Sequence, residues 1–197
     1  MNWAASTGRL ISIAFVLLLV GARGLNATIA DRRDAGATFA AWAHPTPALS
    51  LKDSRGVAHT LNEFRGRVVL VHFWATWCEP CREELPAISA VTRRYAPQGL
   101  SFVAVDVGES RAGIARFIEE VPIEGLVLED RDSEVFKRWR AQVLPASYLV
   151  DRDGRVRVWH LGELDWRDPK TLHAVETLLG PRKTGGRQQE SNLPGSG

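Results

Sequence analysis

The 197-residue sequence contains only two cysteines, Cys78 and Cys81. A disulfide-stapled mini-protein and a four-cysteine zinc centre are therefore excluded. An excess of charge of either sign is also missing, with 25 basic and 23 acidic residues. Five of the basic residues (Arg9, Arg23, Arg182, Lys183, Arg187) and one acidic residue (Glu190) lie in the ends, so the middle of the chain carries a net charge of −2. The basic isoelectric point originates in the ends and gives no support for a nucleic-acid-binding face. No internal repeat is visible. What remains is an ordinary globular composition, 45% apolar and 24% charged, and a middle segment long enough for one domain and too short for two.

The N-terminus reads as an export signal. Arg9 precedes an apolar run at residues 10–20 (LISIAFVLLLV), and the small residues Gly21, Ala22 and Gly24 follow. As a helix, residues 10–22 would span about 20 Å, against about 30 Å for a bilayer core. Residues 1–24 are thus expected to be a cleaved signal peptide, with an uncleaved anchor that has Arg23 at the far interface as the alternative. Either places the domain outside the cytoplasmic membrane of a bacterium, where a thiol pair can be oxidised. Residues 25–47 read as a linker, 48–180 as the folded domain and 181–197 as a disordered, Gly-rich tail.

Within the domain, residues 67–75 (RVVLVHFWA) form a nearly unbroken β-branched and aromatic run, the pattern of a strand buried on both faces. A helix is expected from Glu79 to about Tyr95 and a second buried strand over 100–107 (LSFVAVDV), together a βαβ unit with parallel pairing. Ile114, Phe117, Ile118 and Val121 form the next helical stripe, and residues 126–128 a short strand. Val135, Phe136 and Trp139 mark another short helix. Residues 147–150 and 155–160 flank Asp151-Arg152-Asp153-Gly154, a hairpin signal. The last helix has Asp168 as its N-cap, Pro169 at the first position and Gly180-Pro181 as its stop.

The chemistry is concentrated in Trp77-Cys78-Glu79-Pro80-Cys81. A C-x-x-C at the junction of a buried strand and a helix is a thioredoxin-type redox arrangement. As the N-cap, Cys78 would face orphan backbone N–H groups and the positive end of the helix dipole, which favour the thiolate. Cys81 then falls one turn in and partly buried, and Pro80 occupies the first turn, where its missing N–H is not needed. A purely structural bridge closing so short a loop would add little stability. Half of a metal site shared between chains is the remaining alternative for the pair.

The run 69–86 (VLVHFWATWCEPCREELP) resembles the active-site segment of the TlpA and ResA group of thioredoxin-like extracytoplasmic disulfide reductases. Residues 61–66 (LNEFRG) resemble the lead-in to that group's first central strand, and 143–153 (VLPASYLVDRD) the segment with its cis-proline. The elements between Val107 and Asp130 fall where the group has an insertion relative to plain thioredoxin. The resemblance covers about residues 48–180. Two departures stand out: His72 where the group often has Asn, and Ala146-Ser147 where it has Thr-Thr after the proline. The resemblance implies an α/β/α thioredoxin fold, with a mixed central sheet, an N-terminal β-hairpin and an inserted helix–strand element. It also implies thiol–disulfide exchange, no cofactor beyond the redox-active Cys78–Cys81 disulfide, and a monomer. The expected partners are exported clients bearing disulfides, such as those of cytochrome c or copper-site maturation, and a membrane electron donor.

The remaining candidates have competing readings. Glu84 falls inside the stripe formed by Cys81, Leu85, Ile88, Val91, Thr92 and Tyr95. It is either a solvated glutamate at the stripe's edge or, as the resemblance implies, a carboxylate that exchanges a proton with Cys81. Pro145 is either a simple strand start or, by resemblance, part of a cis Leu144–Pro145 bond facing the cysteines. His72 is a neutral core histidine, a tuning or relay group, or a copper ligand. Trp77, Leu144 and Pro145 are the expected substrate-docking residues, and Glu79, Pro80 and His72 the expected tuners of the thiols. A copper-delivery protein using the cysteine pair as ligands and a thiol peroxidase are the functional alternatives, and no dedicated metal site is expected.

Overall fold

The structure, a computed structural model, describes residues 38–181. The export segment, the linker before Thr38 and the tail after Pro181 lie outside the described residues. Every residue of β4 (Val68–Trp74) is buried, because this strand lies in the middle of the sheet. It pairs parallel with β5 (Leu100–Val107) and antiparallel with β7 (Ala146–Val150). Between β4 and β5 runs helix α1 (Glu79–Tyr95), the crossover that a parallel pair requires. Among the described residues the sheet has eight strands, in the order β1 (Ala40–Ala41), β8 (Val156–Leu161), β7, β4, β5, β6 (Leu126–Asp130), β2 (Ser50–Lys52) and β3 (Ala58–Thr60). β2 and β3 form the N-terminal hairpin on one edge, joined to β6 through β2. β7 and β8 form the second hairpin, closed by the Asp151–Gly154 turn.

The period of two along β4 divides the core. Val68, Leu70 and Trp74 face a cluster that includes Leu85 and Ile88 of α1, Ile114 and Phe117 of α2 (Arg111–Glu120) and Val175 and Leu179 of α4 (Pro169–Leu179). Val69, Val71 and Phe73 face the opposite cluster, with Trp139 and Tyr148 beside the short helix α3 (Glu134–Arg138). This is the expected three-layer thioredoxin fold, with α2 and β6 as the inserted helix–strand element.

One boundary is corrected. Residues 39–47, assigned above to the linker, belong to the folded body. β1 (Ala40–Ala41) pairs with β8, Phe39 packs edge-on against Trp166, and Trp42 packs against Tyr148 and Trp159. Two alanines carry no periodic signal, so the segment reads as a connector, and its attachment depends on aromatic partners over a hundred residues away in sequence.

Candidate active site

Both cysteines sit at the C-terminal end of β4, on the loop and helix that follow it. Thr76 holds the loop, since its N–H and its hydroxyl both donate to the Glu109 carboxylate, each at 2.5 Å. Cys78 is the N-cap of α1 in an extended conformation, Glu79 and Pro80 are the first two helical residues, and Cys81 is the third. The two sulfurs are joined in a disulfide. Cys78 retains 5% exposure and Cys81 none, while Trp77 beside them is 72% exposed. Glu79 and Pro80 are exposed. Pro86, inside the helix, lacks the N–H that would pair with the Arg82 carbonyl, so it loosens α1 just beyond the site-bearing turns.

The Leu144–Pro145 bond is cis. Ala146 pairs with Phe73, so this bond lies at the same end of β4 as the cysteines. Leu144 packs against the cluster that contains Cys78 and Cys81. Val143, next to it, is 49% exposed. Among the described residues, Trp77 and Val143 are thus two of the three large apolar side chains left open to solvent.

Glu84 lies one helical turn beyond Cys81 and is 5% exposed. One carboxyl oxygen accepts the Leu164 N–H and the other the Trp166 indole N–H, the latter at 3.2 Å. Burial pushes its pKa up to about 7, the Leu164 and Trp166 hydrogen bonds oppose that rise, and the Glu163 charge adds to it. The solvated-edge reading of Glu84 does not hold, because the segment before α4 covers it. Those partners lie 80 and 82 residues away in sequence, and no local pattern announces them.

His72 is fully buried on the α1-facing side of β4. Its Nδ1 lies 2.9 Å from Ser147 Oγ and its Nε2 3.9 Å from Glu84 Oε2. Burial lowers its pKa to about 3, so the ring is neutral. The two departures noted in the sequence, at 72 and 147, therefore form a direct cross-strand pair. Among the described residues, no group of three or more His, Cys, Asp or Glu side chains is placed to hold a metal ion.

Sequence reasoning missed Asp106 and Glu109. Asp106, the penultimate residue of β5, has no exposed surface, and its carboxyl lies against Glu109. Burial, then a hydrogen bond shared with Glu109 and the Glu109 charge, push its pKa up to about 9. A charged residue inside an apolar strand pattern was the available signal.

A cysteine pair at a helix N-terminus, a cis-proline beside it and a thioredoxin sheet define a thiol–disulfide oxidoreductase. The AhpC/TSA family model matches residues 43–159. Thiol–disulfide oxidoreductase ResA of Geobacillus thermodenitrificans is 32% identical over 162 residues, covering 82% of this chain and 92% of the relative. ResA of Bacillus subtilis is 29% identical, covering 86% and 93%. Among solved structures, a Chlorobium tepidum protein described as thiol:disulfide interchange protein DsbE aligns with a TM-score of 0.65 at 28% identity, covering 69% of this chain and 96% of that one. The chain belongs to the AhpC/TSA family and, within it, to the ResA-type thiol–disulfide oxidoreductases.

Proposed function

We propose that this protein is an extracytoplasmic reductase that passes electrons from Cys78 and Cys81 to disulfides of exported clients. Cytochrome c and copper-site maturation are the client settings that the family resemblance of the sequence implies. The observation that carries the reading is Cys78 at the helix N-terminus beside the exposed Trp77, with Glu84 buried one turn beyond Cys81. Among the described residues no helix is long and apolar enough to cross a membrane. The extracytoplasmic placement therefore rests on the N-terminal sequence.

In the proposed reaction the Cys78 thiolate attacks a client disulfide and a mixed disulfide forms. The Cys81 thiol gives its proton to Glu84, and the resulting thiolate displaces the client's sulfur, leaving Cys78–Cys81 oxidised and the client reduced. A carboxyl near neutrality suits this step, because it is ionised often enough to accept a proton and basic enough to hold one. Trp77, Val143 and Leu144 provide the apolar docking rim, with Pro145 beneath.

Two measurements test the reading. In wild type, exchange should rise with pH through an inflection near 7, as Glu84 ionises. Glu84→Gln should remove that inflection and slow exchange at pH 8 by roughly 10²-fold, the lower end for general-base contributions. Superimposable pH–rate profiles would exclude Glu84 as the base.

The second measurement is the direction of electron flow. Strong oxidants have a very low cysteine pKa and potentials near about −120 mV. Here Glu79 puts negative charge next to Cys78 and opposes the helix dipole. Arg82 does not offset it, being held by Glu120 at 2.6 Å and lying 5.2 Å over the Phe117 ring. The Cys78–Cys81 couple is expected to be more negative than roughly −200 mV. Equilibration with glutathione buffers, read by alkylation, gives the value, and one near −120 mV would make the protein an oxidant of exported thiols.

A further inference from the structure

His72 of β4 and Ser147 of β7 are directly opposed in the sheet. Both are fully buried, and His72 Nδ1 and Ser147 Oγ are 2.9 Å apart. Among the described residues the Ser147 hydroxyl has no other hydrogen-bond partner. A buried hydroxyl proton without an acceptor costs about 1–3 kcal/mol, and the acceptor within reach is the Nδ1 lone pair. Donation by Ser147 satisfies that proton, leaves Nδ1 bare and places the ring hydrogen on Nε2, the nitrogen that faces the Glu84 carboxyl.

That second nitrogen is itself buried and has no hydrogen-bond partner. The acceptor it faces is Glu84 Oε2, 3.9 Å away. We infer that Ser147 fixes His72 as its Nε2–H tautomer, making the imidazole a positioning residue whose N–H closes on the Glu84 carboxylate when that group is ionised. The inference deepens the proposed reading of Glu84 and rests on it for its functional meaning.

The groups facing Glu84 define what this donor does. From its own helix comes Cys81, one turn earlier. From the segment before α4 come the Leu164 N–H and the Trp166 indole, which favour the carboxylate, and the Glu163 charge, which opposes it. From β4 comes His72 alone. A neutral imidazole donor stabilises the anion without adding a positive charge to the core, whereas a lysine there would lock Glu84 ionised. A lone pair at Nε2 would do the reverse and favour the protonated acid. The tautomer set by Ser147 thus decides whether Glu84 begins the cycle as a base.

Nitrogen-15 NMR of the full, oxidised chain labelled at histidine reads the tautomer directly. The His72 ring is assigned through its contacts with Ser147 across the sheet, and its signals should not titrate above pH 5. A protonated Nε2 and an unprotonated Nδ1 are expected, and a proton on Nδ1 would overturn the inference. In Ser147→Ala, the midpoint of the Glu84 carboxyl carbon titration should move upward by about one pH unit, the size of one hydrogen bond to a charged group. His72→Leu should shift it the same way, and an unchanged midpoint in Ser147→Ala would refute the positioning role. The wild-type spectrum decides the tautomer even if the leucine variant fails to fold. Neither readout requires turnover, so a Glu84→Gln variant with normal exchange would remove the base role and leave the tautomer assignment standing.

Discussion

Cys78→Ser should lower thiol–disulfide exchange by on the order of 10³-fold or more, whereas Cys81→Ser should still attack clients and accumulate mixed disulfides. The asymmetry follows from placement on α1. Cys78 is the N-cap, and no side-chain cap hydrogen bond takes up the first N–H groups of the helix. A thiolate there meets those donors and the positive end of the dipole, which lowers its proton affinity. Cys81 is the third helical residue and has no exposed surface, so an incoming client disulfide cannot reach it before Cys78 has been engaged. Removing a covalent nucleophile eliminates the first step, and losses of this scale or larger are usual. Removing the resolving thiol eliminates only the second step, so the intermediate persists. The same geometry makes Cys78 the faster thiol toward iodoacetamide in the reduced protein. Prior alkylation of Cys81, or mixed disulfides that build up on Cys78→Ser instead, would reverse the two roles.

The trapped species also identifies clients, because Cys81→Ser holds them covalently at Cys78. Docking at the rim of Trp77, Val143 and Leu144 predicts that the captured proteins present a cysteine pair flanked by apolar or aromatic residues.

The elements carrying the site were legible in the sequence because their signals are local. An apolar run interrupted only by His72, in the centre of a mixed sheet, is buried on both faces, and β4 has no other pattern. The stripe from Cys81 to Tyr95 repeats at the helical period, and each of its members is buried. Asp168, Pro169 and Gly180 punctuate α4 as their backbone preferences require, with Asp168 accepting the Lys170 N–H. Nothing local announces the environment of a charged residue. Glu84 becomes a buried group near neutrality through Leu164 and Trp166, and His72 acquires its orientation from Ser147 across the sheet. The attachment of β1 fails to show for the same reason, since Phe39 and Trp42 find their aromatic partners only in the folded state.

Asp106→Asn should make the protein more stable at alkaline pH and leave it nearly unchanged in acid. In the sheet Asp106 lies between Trp74 of β4 and Glu129 of β6. It is fully buried, and its carboxyl shares a hydrogen bond with Glu109. Its neighbour Glu109 is committed to Thr76 in the active-site loop and cannot turn away. Burial first, and Glu109 second, raise the folded-state pKa from 3.8 to about 9. The folded protein thus holds a proton that the unfolded chain releases above about pH 4. For a group raised on folding, the stabilising contribution is complete below the unfolded pKa and is lost as pH rises towards the folded one. These two groups should therefore lower stability between about pH 4 and pH 9, Asp106 across the whole interval and Glu84 up to about 7, against a gain from neutral His72 that is complete by about pH 6.5. Asparagine has the same shape, carries no titrating proton, and can donate its amide N–H to Glu109. Each unit of difference corresponds to about 1.36 kcal/mol, and partial hydration of the pair reduces the sum, so a gain on the order of 3 kcal/mol at pH 8 is expected. Urea midpoints of wild type and variant at pH 5 and pH 8 measure it. A difference that does not widen between those two pH values would mean that Asp106 is ionised in the folded protein, with a compensating partner for its charge.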